Sequence, residues 1–188
     1  IPSRIENVVL DNKLALSKMP LTLLFSNILS GIEDQYDFIF IDCPPMMGHS
    51  VTAAALYADT LLVPLNPDRF SAKGLDILKN EIKNIARDFK VKVDYKVFLN
   101  KFSGNTLLSD KAIQTTVTAE TTKQSALTTA IRQAQEIPNA TDKNLSMFSL
   151  LKASISREDF DLLTRELLDI NPESSRKTTT TQKEKSEA

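Results

Sequence analysis

The stretch Tyr36-Asp37-Phe38-Ile39-Phe40-Ile41-Asp42-Cys43-Pro44-Pro45 constrains the architecture more than any other part of the chain. Four apolar residues, Phe38 to Ile41, run directly into a carboxylate. A short continuous apolar run marks a strand buried on both faces, as in a parallel sheet; a half-buried strand would alternate. Pro44 and Pro45 stop that strand, because proline cannot donate to a ladder. Asp42 is then expected at the carboxyl end of an interior strand, where open α/β sheets bind their ligands. A carboxylate there suits a Mg²⁺ ion, held directly or through water beside a nucleotide phosphate. It also suits the capping Asp of an ordinary buried strand.

The remainder of the chain alternates in kind. Residues 60–65, 91–99 and 125–131 read as further strands, the last short and nearer the sheet edge. Between them the apolar spacing turns helical. One helix is expected from Met19–Leu21 to a stop near Gly31, and a short Ala-rich one from Gly48 to Asp59. A third is capped by Ser71 and runs to about Phe89, with Leu75, Leu78, Ile82 and Ile85 on one face. Residues 105–121 are helical in part, before a Thr-rich end. Ser156 and Asp159 stand at capping-box spacing ahead of a final helix with the stripe Phe160, Leu163 and Leu167. Strands alternating with helices predict right-handed βαβ units. The expected fold class is α/β, a mostly parallel sheet with helices on both faces. Residues 1–170 form one domain in this reading. Residues 171–188 carry no large apolar side chain and are expected to be a disordered polar tail.

Composition narrows the function classes. A net charge of −1 leaves any nucleic-acid role to a local patch rather than bulk charge. Cys43 is the single cysteine, which rules out an intrachain disulfide and fits a reducing cytoplasm. It is expected to be a small buried residue, not a nucleophile. His49 is the single histidine, expected on an exposed loop; one His supports neither a metal cluster nor a Ser/His/Asp set. No apolar stretch reaches the ~20 residues that a membrane-spanning helix needs.

The decapeptide from Tyr36 to Pro45 closely resembles the Walker B segment of the ParA/MinD family of deviant Walker ATPases. Thr52 to Asp59 resembles that family's following helix, and Thr60 to Leu65 its next strand. Phe70 to Leu75 is similar to the start of the helix after it. Val97-Phe98-Leu99-Asn100-Lys101-Phe102 resembles a later strand with its nucleotide-side Asn. Thr129-Ala130-Ile131-Arg132, followed by Ile137-Pro138-Asn139-Ala140, resembles the last strand and base-side loop. These motifs keep the family's order and spacing over roughly residues 1–170. They stand nearest the ParA, or partition, branch.

The resemblance implies a P-loop NTPase-like fold and an ATP hydrolase that uses ATP and Mg. Asp42 would be the catalytic, Mg-side acid, acting through water. Asn100 would meet the edge of the adenine, and Pro138 would line the base pocket. Arg132 and Lys101 would contact DNA phosphates, with Lys111 and Lys123 as weaker candidates. The partners implied are a second copy in an ATP-bound homodimer, non-specific DNA, and a centromere-binding ParB-like protein that stimulates hydrolysis. The localisation implied is cytoplasmic and nucleoid-associated, with no membrane partner. Pro44 and Pro45 would stiffen a nucleotide-sensing loop.

One family element is missing. The four glycines, at 31, 48, 74 and 104, begin no GxxxxGK[ST] pattern, so no Walker A loop is present. The chain starts with Ile1, inside a segment similar to a family strand. The expectation is an N-terminally truncated portion of a ParA-like protein, inactive alone and poorly soluble. Two alternatives are a degenerate, non-catalytic ParA-like interaction module and a MinD-like positioning ATPase. The polar C-terminal tail lacks the amphipathic membrane helix that the MinD type requires.

Overall fold

The computed structural model describes residues 10–44, 47–103, 125–149 and 154–168. Its contacts divide the chain into two units. One comprises Ile1–Leu61 with Asp76–Tyr95, the other Leu62–Leu75 with Lys96–Ala188.

The first unit is helical. Helix α1 spans Leu10–Leu16 and α2 spans Leu24–Leu29, the latter preceded by a 3-10 turn at Leu21–Leu23. Pro20 stands just before that turn, where its fixed φ suits helix entry. Helix α3 spans His49–Tyr57. Its small residues Ala53, Ala54 and Ala55 are almost completely buried. Leu14, Leu24 and Ala53 form the core here, flanked by Leu21 and Phe25. The Phe25 and Tyr57 rings lie 5.9 Å apart, and the Tyr57 hydroxyl donates to Glu33 over 2.6 Å.

The expected strand at 36–42 is not formed. Residues 36–44 carry no regular structure, and among the described residues no strand pairs with them. Phe38 is 58% exposed and Phe40 83%. The physical reason is that a run apolar on both faces becomes a strand only between neighbours that supply its ladder and cover its faces. Cys43, expected to be buried, is exposed with it. His49 is exposed as expected, but it opens α3 instead of lying on a loop.

The second unit holds the sheet. Strands β1 (Leu61–Leu65), β2 (Tyr95–Phe102) and β3 (Ala126–Arg132) lie in the order β1-β2-β3, with β2 and β3 parallel. The chain therefore has the α/β fold class, with the parallel pairing that the strand–helix alternation implied. Helix α4 (Arg69–Phe89) follows β1 and passes from this unit into the other. Leu75, Ile82 and Ile85 are its buried stripe, while Leu78 is only half-buried. Its cap is Asp68, whose carboxylate accepts from the Ser71 N–H (2.7 Å) and hydroxyl (3.1 Å). Ser71, expected as the cap, is already inside the helix.

Helix α5 spans Glu136–Asp142 and α6 spans Ile155–Leu167. Helix α6 packs on β3: Leu163 meets Leu127 and Ile131, with Phe98, Ile137, Phe160 and Leu167 around them. Its cap is Ser154, which accepts from the Arg157 N–H, not Ser156. Ser156 is fully buried and donates to Glu136 over 3.0 Å. The expected helix at 105–121 and the expected tail at 171–188 lie outside the described residues, as do Lys111 and Lys123.

Candidate functional site

Parallel strands place their carboxyl ends side by side, and that is where β2 and β3 bring most of the expected site residues together. Asn100 lies in β2 opposite Ile131, half-buried. Lys101 follows it, exposed, in the left-handed region at φ 56°. Phe102 then pairs with Arg132, the last residue of β3. Between Asn100 and Phe102 the ladder shifts register, so Lys101 is the bulged residue. A bulge beside a site re-aims the side chains around it.

Beyond these strand ends lies a cavity of about 460 Å³. Phe102 and Ser103 supply its β2 side and Arg132 to Glu136 its β3 side, with Ile155 from α6. Asn100 stands two residues before Phe102 on β2. Pro138 stands two residues beyond Glu136, exposed in the first turns of α5. The expected base-side loop is therefore the start of a helix at this point. Proline is tolerated there because first-turn N–H groups have no intrahelical partner.

Arg132 is engaged by α6. Its guanidinium donates to Asp159 through Nε (3.0 Å) and Nη2 (2.5 Å), and its backbone N–H donates to the same carboxylate over 2.8 Å. Glu158 accepts from Nη2 at 3.4 Å from the exposed side. The hydrogen bond to Asp159 holds the Arg132 guanidinium above its ordinary pKa. Burial alone would push the Asp159 carboxyl up. The Arg132 side-chain and backbone donors outweigh it and hold the carboxyl below its usual range. This pair was not legible in the sequence, since its partners are 27 residues apart.

Asp42 belongs to the other unit. It is exposed, in the irregular stretch that ends at Pro44. Next to it, crowding by neighbouring atoms pushes the Cys43 thiol up, and the Asp42 charge adds to the shift. A cleft of about 460 Å³ runs along the preceding residues, from Tyr36 to Ile41, against Tyr57 to Thr60. Among the described residues no group of three or more His, Cys, Asp or Glu side chains could hold a metal ion. A single carboxylate such as Asp42 still fits Mg²⁺, which keeps several waters and takes further oxygens from substrate phosphates. No helix among the described residues is long and apolar enough to cross a membrane.

Residues 1–97 match the family model described as an AAA domain. A chromosome-partitioning ATPase, Soj, of Treponema pallidum is 27% identical over 97 residues, covering 51% of this chain and 38% of that protein. A ParA family protein of Chlamydia muridarum is 31% identical over 143 residues, covering 75% of this chain and 54% of that protein. Among solved structures, one described as a plasmid partition protein from Borrelia burgdorferi B31 bound to AMPPNP matches with a TM-score of 0.67 at 20% identity. The match covers 90% of this chain and 64% of that one, and supports the P-loop NTPase-like α/β fold. The chain thus spans between about two fifths and two thirds of the length of these proteins.

Proposed function

We propose, from the premise that this chain belongs to the ParA-type family of AAA-domain ATPases, that it is part of a partition ATPase that separates plasmid or chromosome copies. The observation that supports this reading is the pair of parallel strand ends, β2 and β3, opening on a cavity lined by Phe102 and Arg132, two residues beyond Asn100 along β2. In the reading, Asn100 meets the edge of the adenine with its amide, which offers both acceptor and donors. Pro138 flanks the base. Asp42 would hold Mg²⁺.

The chemistry is transfer of the terminal phosphoryl group of ATP to water. Bound Mg²⁺ would neutralise charge developing on the phosphate oxygens. The chain's own part is to orient the base and to supply the Asp42 carboxylate. The phosphate cradle is not among these 188 residues, which contain no GxxxxGK[ST] pattern. ATP would join two copies into a dimer, and the dimer would bind DNA without base readout. Lys101 is the proposed phosphate contact, with Arg132 contributing only through the part of its guanidinium that Asp159 and Glu158 leave exposed. A centromere-binding, ParB-like partner would stimulate hydrolysis and release the dimer, so the protein would work in the cytoplasm on the nucleoid.

The test of the base site is nucleotide selectivity in the longest product of the gene. Asn100→Ala is expected to erase most of the preference for ATP over GTP, by roughly tenfold, the scale of one buried hydrogen-bonding group left unpaired. Equal selectivity in wild type and variant, measured by calorimetry, would remove Asn100 from the site.

A further inference from the structure

The β2–β3 ladder breaks twice, and each break lies beside a carboxylate of α6. Between Val97 and Leu99, β2 advances two residues while β3 advances four, from Ala126 to Ala130. Thr128 and Thr129 lie in that slack. Both of their backbone N–H groups donate to Glu166, at 2.5 and 2.8 Å, and the Thr128 hydroxyl donates to it at 3.0 Å. Between Asn100 and Phe102, β2 advances two residues while β3 advances one, to Arg132. There the Arg132 N–H donates to Asp159, which is 4% exposed.

The spacings match. Glu166 and Asp159 are seven residues apart on one face of α6, or about 10.5 Å along a helix. Their strand targets are three to four residues apart on β3, or roughly 10–13 Å along an extended chain. Each carboxylate receives several donors at once. Burial would push Glu166 up, yet the Thr128 and Thr129 donors hold it below the usual carboxylate range.

We infer that Glu166 and Asp159 fix the register of β3 against β2, and are therefore positioning residues for Asn100 and Lys101 at the strand ends. If β3 slid one residue, the side chains facing β2's end would change sheet face. Asn100 would lose its place opposite Ile131, and Lys101 would no longer be the bulged, left-handed residue. The inference rests on the reading of Asn100 as the base contact only for its consequence in nucleotide binding. The register itself is readable without nucleotide.

The experiment is amide NMR and hydrogen exchange on the longest product of the gene, without nucleotide. The intense intraresidue amide–Hα cross-peak of a left-handed Lys101 reports the bulge. Glu166→Gln keeps one acceptor oxygen where two N–H groups need partners. It is expected to abolish that cross-peak and to quicken exchange at Thr128 and Thr129 at least about tenfold. Two controls separate register from general loosening. Leu167→Ala weakens the α6 packing but keeps both carboxylates, and Thr128→Val removes only a hydroxyl. Each is expected to lower Tm while leaving the Lys101 cross-peak intact. Should Glu166→Gln fail to fold, Glu166→Asp provides the same readout with a shorter reach, too short to hold both N–H groups.

A Lys101 cross-peak that survives in the Glu166 variant, or that vanishes equally in the two controls, overturns the inference. Register lost in the variant with AMPPNP affinity of the gene's longest product unchanged would uphold the inference and reject instead the base-contact reading of Asn100.

Discussion

Asp11 reaches across 39 residues of sequence to accept from the Ser50 N–H, over 2.8 Å, in the first turn of α3. That bond caps an orphan donor of the helix, the role that a local Ser or Asp plays elsewhere. Gly48 makes room for it. A Cβ placed at Gly48 would stand 2.0 Å from Asp11 Oδ2. Gly48→Ala should therefore displace the Asp11 carboxylate and cost about 1 kcal/mol, as Asp11→Ala should. Urea unfolding midpoints check both, and the double variant should cost little more than either single one. The Ser50 N–H holds the Asp11 carboxyl below its ordinary pKa. A depressed folded value means that the stabilisation is complete above the unfolded pKa and fades as pH falls through the folded one. Asp11→Asn should lack that slope. None of this was legible in the sequence, because Asp11 gives no local sign of its distant partner. The place of Asn100 near the carboxyl end of β2 was legible, because an Asn at the end of an apolar run needs only the strand to be recognised. Ser156 and Ser71 were misread as caps because spacing alone does not distinguish a cap from a serine two or three residues inside.

At the scale of elements, the contact between α6 and β3 dominates the sheet-bearing unit. Leu163 is 6% exposed against Leu127 and Ile131. Leu163→Ala should cost 2–5 kcal/mol, the usual range for a buried leucine truncated in a close-packed core. Thermal unfolding of that variant checks it, and a loss under about 1 kcal/mol would mean that the site can collapse around the gap. Strands β1 and β3 and helices α4 and α6 were readable within a few residues, because each carries its own periodicity. The segment at 36–42 was read as a strand from the same kind of signal and is irregular. Periodicity reports what a segment could bury; it does not report whether neighbours are there to bury it. The α6 carboxylates escaped for a related reason. Glu166 looks like an ordinary solvent-facing charge of an amphipathic helix, and Asp159 like a capping-box partner of Ser156, until β3 is placed beside them.

For the molecule as a whole, the exposed apolar run is the main liability. Tyr36, Phe38, Ile39 and Phe40 present aromatic and branched side chains on backbone that pairs with no strand among the described residues, a liability for aggregation. Phe38→Thr with Phe40→Lys should raise the soluble yield of the 188-residue chain several-fold, read by light scattering at fixed concentration. An unchanged yield would place the liability elsewhere. The family of the chain was legible from the order of its motifs, although the strand that carries the most telling one is unformed. The measurement that tests the account most directly is ATP turnover by the longest product of the gene. With Asp42 holding Mg²⁺ beside the phosphates, wild type should hydrolyse ATP in the presence of Mg²⁺, and Asp42→Ala should reduce turnover to background. Equal Mg²⁺-dependent turnover in the two proteins, with the variant folded by circular dichroism, would contradict the role given to that carboxylate and with it the proposed mechanism.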